Sequence, residues 1–72
     1  MGGMWRKIIA DIGALKVARE IGLRYQTVWY YTKGRGMPRR KNLAGLKDIV
    51  LKYAPDKYQQ FEISLNKDLT GM

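Results

Sequence analysis

The chain has no cysteine and no histidine, one serine (Ser64), one phenylalanine (Phe61), and six acids against fourteen lysines and arginines. Without cysteine there is no disulfide and no thiolate metal site to support a small fold. Without histidine the commonest general base and metal ligand is missing. The acids Asp11, Glu20, Asp48, Asp56, Glu62 and Asp68 are scattered, with no pair set in an apolar context. The expectation is therefore a protein that is not an enzyme and carries no metal or cofactor. Nor is there a run of about eighteen apolar residues, which a membrane-spanning helix requires. No signal-peptide apolar region opens the chain. Met1-Gly2-Gly3 begins like a myristoylation signal, but Arg6 stands where that signal needs Ser or Thr. An intracellular, soluble protein is expected.

Seventy-two residues make one domain. A chain of this size buries only about 60% of its unfolded surface, so oligomerisation is the remaining common support. The net charge is +8, and all of it lies in one half. Residues 1–41 hold ten cations and two acids, and residues 42–72 hold four of each. Between Tyr25 and Lys41 there are five cations and no acid. Such a patch attracts polyanions and speeds their capture.

Apolar residues at 3–4 spacing (Trp5, Ile8, Ile9, Ile12) predict a first helix over 4–12, ended by Gly13. A second helix is expected over 14–21 and a third over 25–33. Gly34 to Pro38 reads as a loop by its glycine and proline content. A fourth helix is expected over 40–53, with Leu43, Leu46, Val50 and Tyr53 on one stripe and Ile49 widening it. Pro55 suits the first turn of a short fifth helix. The tail has two readings. Phe61, Ile63 and Leu65 alternate with Glu62 and Ser64 as a strand would; Tyr58, Phe61 and Leu65 fit a helix. A lone strand would need a second copy to pair with, so 61–65 is a candidate dimer arm. The other outcome is a helix end and a frayed tail. On this reading the core runs from about residue 4 to 61, and 62–72 is tail or arm.

The stretch 17–34, VAREIGLRYQTVWYYTKG, is the most specific in the chain. Val17, Ala18 and Ile21 share a face. Gly22 follows, where a helix end favours a left-handed residue without Cβ. Leu23 can plug the turn. In the third helix Val28 and Tyr31 fall on one side. Tyr25, Gln26, Trp29, Tyr30 and Lys33 spread over roughly 140° of the other. One face can bury while the opposite one offers hydrogen-bonding, aromatic and cationic groups. A DNA major groove accepts a helix presented in this way.

These residues resemble the helix-turn-helix of the lambda-repressor and Cro-like (XRE-type) DNA-binding family. Ala18 stands at its small helix-crossing position, Gly22 at its turn glycine, and Leu23, Val28 and Tyr31 at its apolar positions. Gly34 and Pro38 match its run after the recognition helix, and Leu43 and Leu46 the leucines of its fourth helix. The match covers about 17–50. Ala14 and Leu15 replace the glutamine that often starts the first helix of the pair, and Arg24 replaces its capping Ser or Thr. The resemblance implies an all-α domain of four or five helices.

Tyr25, Gln26 and Tyr30 are the candidate base readers, with Trp29 beside them. Glutamine can pair with adenine, tyrosine hydroxyls reach base edges, and aromatic rings touch thymine methyls. The resemblance places Tyr25, Gln26 and Tyr30 at the family's base-reading positions. Arg24, Thr27, Lys33, Arg35, Arg39, Arg40 and Lys41 form the candidate phosphate clamp, with Lys16 as a weaker contact. Gly34-Arg35-Gly36 is too short for a nucleotide-binding loop.

The expected function is a sequence-specific double-stranded DNA-binding regulator, a repressor that occupies a promoter. It would bind as a homodimer without a small-molecule effector, and would sit in the cytoplasm on nucleoid or viral DNA of a prokaryotic host. The alternatives are a sequence-indifferent DNA-coating protein and an antitoxin-like protein-interaction module that also binds DNA. Single-strand binding ranks lower, since stacking platforms usually sit on sheets.

Overall fold

Gly13, Gly22 and the 33–39 loop cut the amino-terminal half of the chain into the helices that its periodicity predicts. The computed structural model describes residues 3–71. Met1 and Gly2, with the myristoylation-like opening, lie outside the described residues, as does Met72. The described residues form five helices: α1 (Met4–Ile12), α2 (Ala14–Ile21), α3 (Tyr25–Thr32), α4 (Arg40–Tyr53) and α5 (Tyr58–Thr70). A turn of 3-10 helix, Pro55–Lys57, leads into α5 with the proline at its start. The protein is an all-α domain, and no strand occurs among the described residues.

Helix α1 touches all four others. Its Trp5, Ile8 and Ile9 are buried with Val17 and Ala18 of α2, Val28 and Tyr31 of α3, Leu46, Ile49 and Val50 of α4, and Phe61 and Leu65 of α5. Each fully buried large side chain contributes about 1.5–3 kcal/mol.

Gly22 ends α2 with φ +79°, a conformation that a Cβ would strain. The amides of Gly22 and Leu23 both donate to the Ala18 carbonyl, at 2.9 and 3.0 Å. Leu23 packs against the core and so plugs the turn as expected. Ala18 is buried where α2 and α3 cross.

The tail departs from two expectations. Residues 61–65 are not a strand or a free arm but the middle of α5. Phe61 and Leu65 stand one helical turn apart and both are fully buried. Ile63 lies about 200° around the helix from Phe61 and is 68% exposed, so the strand-like alternation was a coincidence of composition. The core consequently extends past residue 61 to Leu65 and the partly buried Leu69. Tyr53 also differs from the expected stripe. It is exposed, and Ile49 takes its place in the core.

The start of α1 is completed by α5. The Trp5 amide donates to Ser64 Oγ at 3.1 Å, the Gly3 amide to Asp68 Oδ2 at 3.1 Å, and the Trp5 indole to the same oxygen at 2.7 Å. These bonds satisfy amide groups that a helix N-terminus leaves unpaired.

Candidate nucleic-acid interface

Helix α3 is short and two-sided. Val28 and Tyr31 bury toward α1 and α2, so the rest of the helix must face outward. Tyr25 is 50% exposed, Trp29 and Tyr30 are 37% exposed, and Gln26 is exposed beside them. Gln26 Nε2 donates to Tyr30 Oη at 3.4 Å, one turn along. The Trp29 and Tyr30 rings meet edge to face at 5.5 Å. Lys33 Nζ lies 5.5 Å from the centre of the Trp29 ring. Lys33 itself caps α3 rather than belonging to it. Gln26 and Trp29 thus both meet Tyr30 on the outward side, where Tyr25 is also exposed.

The loop after α3 leaves by a tight reversal. Gly34 has φ +82°, its amide donates to the Tyr31 carbonyl, and the Arg35 amide donates to that of Tyr30 at 2.9 Å. This turn brings residues 35–42 back alongside α3. Between them runs an open groove of about 480 Å³. Leu23, Tyr31 and Met37 line its apolar part, Thr27, Tyr30 and Asn42 its polar part, and Arg35, Arg39 and Lys41 supply the charge. Burial pushes the Tyr31 phenol above its ordinary pKa, opposed by the positive charge of Arg39.

Glu62, Glu20, Asp11 and Asp68 are engaged away from the groove. The ion pairs among the described residues are Lys47–Glu62, Lys52–Glu20 and Lys57–Asp11. None involves Arg24, Lys33, Arg35, Arg39, Arg40 or Lys41. No acid occupies the first turn of α3 or of α4, and neither helix has a side-chain cap at its start. The positive ends of both helices therefore add to the cationic surface.

Not all candidates converge. Arg35, Arg39, Lys41, Thr27 and Tyr30 share the groove; Arg24, Lys33 and Arg40 are exposed outside its lining. Lys16 stands apart. Its ammonium lies 4.7 Å from the centre of the Tyr53 ring, at the far end of α4. It is outside the groove lining that Arg35, Arg39 and Lys41 share.

Asn42, Met37 and Arg6 had no place in the sequence-derived site. Asn42 and Met37 line the groove, and Arg6 lies behind it. Arg6 is buried next to Trp5, with its guanidinium 4.3 Å from the ring centre. One signal was available: on a helical wheel Arg6 is about 60° from Ile9, at the border of the apolar stripe of α1.

No protein-family model, curated protein or solved structure matches the chain. The functional reading therefore rests on the residues and their arrangement.

Proposed function

We propose that the protein is a sequence-specific double-stranded DNA-binding regulator that reads the major groove with α3. One observation carries the reading. The exposed Tyr25–Gln26–Trp29–Tyr30 surface adjoins a groove whose cations, Arg35, Arg39 and Lys41, have no acidic partner among the described residues. Base edges are read by hydrogen-bonding and aromatic side chains, and phosphates by cations. The arrangement puts both kinds of group side by side, as binding at the edge of a groove requires. The resemblance of residues 17–50 to the lambda-repressor and Cro-like helix-turn-helix supports the same reading. Repression by occupying a promoter is the simplest action of such a protein.

One recognition helix contacts too few base pairs for a specific address, so a two-fold dimer on a near-palindromic site is part of the proposal. The backbone measures 28 × 25 × 21 Å. Two copies side by side would fit half-sites about one turn, roughly 34 Å, apart. The self-contact is assigned to the carboxyl half, where Leu51 and Ile63 are exposed.

The test is selection of bound duplexes from a random pool, followed by sedimentation with the selected duplex. A sharp, near-palindromic consensus bound by two protomers supports the proposal. A flat pool favours a coating protein, and a single protomer on a high-affinity site removes the dimer.

A further inference from the structure

We infer that Arg6 is a positioning residue that holds the phosphate clamp in register with the reading helix. The inference rests on the DNA-binding reading above. Arg6 belongs to α1 and is only 9% exposed, so it is not a direct contact. Its guanidinium is shared between two parts of the interface. Nη1 donates to the Tyr31 carbonyl, in the last turn of α3, at 2.8 Å. Nη2 donates to the Gly36 carbonyl, in the loop between Arg35 and Arg39, at 3.0 Å, and also approaches Met37 Sδ at 3.4 Å. One rigid fork therefore ties the end of the reader to the middle of the clamp loop. The fork is itself held. Trp5 packs against the guanidinium, and the indole of Trp5 is fixed by its hydrogen bond to Asp68.

Stability alone does not account for an arginine here. Burial pushes its pKa down, opposed only by the charge of Asp68. Its Nε is buried without a partner. An apolar side chain of similar length would fill the space without the cost of burying a charge. What such a chain lacks is two donors at fixed spacing. Lysine lacks them as well, being a single point donor on a flexible stem. Around the loop, Gly34 and Gly36 both have positive φ and no atom within 4 Å of where a Cβ would stand. Packing at those two positions does not fix the loop, whereas the Arg6 fork grips it at Gly36.

The test compares wild type, Arg6→Lys and Arg6→Met. Two quantities are read: backbone 15N heteronuclear NOEs over 33–39, and affinity across a salt series for the selected and a scrambled duplex. In both variants the NOEs of Arg35, Gly36 and Met37 should fall while those of α3 hold. Affinity should fall about tenfold on both duplexes, the cost of ordering a freed loop on binding. The slope of log affinity against log salt should drop by about one to two as Arg35 and Arg39 lose their phosphates. Preference between the duplexes should persist. If Arg6→Met does not fold, Arg6→Lys decides alone. An ordered loop and an unchanged salt slope in Arg6→Lys overturn the inference. So does a weaker affinity with an unchanged slope, which would mean general destabilisation. A wild type that binds no duplex overturns the DNA reading instead, and the NOE comparison then judges the loop restraint separately.

Discussion

Ile21 lies against the bare backbone of Gly45, so close that a Cβ there would stand 3.2 Å from its Cγ1 and 3.3 Å from its Cδ1. A glycine inside a helix costs about 1 kcal/mol relative to alanine. Here the missing side chain lets the end of α2 approach α4. The two effects oppose each other and can be separated. Gly45→Ala should add about 1 kcal/mol of stability in an Ile21→Ala background, where the crowding is gone, and clearly less in the wild type. Thermal melts of the four proteins measure the difference. Strict additivity would show that the approach is not tight.

The hinge between α2 and α3 should tolerate little. Ala18→Leu overfills the buried crossing and should cost about 1–3 kcal/mol. Gly22→Val forces a branched residue to φ +79° and should cost about as much. Unchanged melting temperatures for both would refute this account of the turn.

Reading and gripping should separate on DNA. Gln26→Ala and Tyr30→Ala should each cost about 1–3 kcal/mol on the selected duplex and little on a scrambled one. Arg39→Ala should weaken both alike and lower the salt slope by about one unit. Phosphates repeat at every step, whereas base edges do not. Equal losses on both duplexes for Gln26→Ala and Tyr30→Ala would give first place to the coating hypothesis.

Tyr31 should make the fold sensitive to alkali. Burial raises its pKa above the unfolded value, so its contribution is complete below the ordinary tyrosine range, about 10. That contribution is lost as pH climbs from there through the folded value. Wild type should therefore lose melting temperature faster than Tyr31→Phe above about pH 10. Parallel alkaline slopes would contradict the burial effect.

Most of the fold could be read from local pattern. The bounds of α1, α2 and α4 follow from apolar spacing and from Gly13, Gly22 and Pro38, all of which act within a few residues. The outward face of α3 followed from the same arithmetic applied to Val28 and Tyr31. The missed features depend on distant partners. Whether Phe61, Ile63 and Leu65 alternate as strand or stagger as helix was decided by the pocket that α1 and α4 offer, and no local rule contains it. Gly45 looks like a weak point in α4 until Ile21 is beside it. Lys16 falls on the outer side of α2 by helical arithmetic, but its neighbour there, Tyr53, comes from the far end of α4 and has no local signal. The role of Arg6 has no sequence signature, because its oxygen acceptors are backbone carbonyls.

The bonds from Ser64 and Asp68 to the start of α1 bear on the order of events during synthesis. The ribosome delivers α1 first, yet the groups that complete it come more than fifty residues later. A nascent chain lacking α5 would have Trp5 short of both its hydrogen-bond partner and the cover of Phe61 and Leu65. Helices α2 and α3 can meet early, since only a short turn separates them. The last helix closes the structure, so the domain should reach its final cooperativity only after that segment has cleared the exit tunnel.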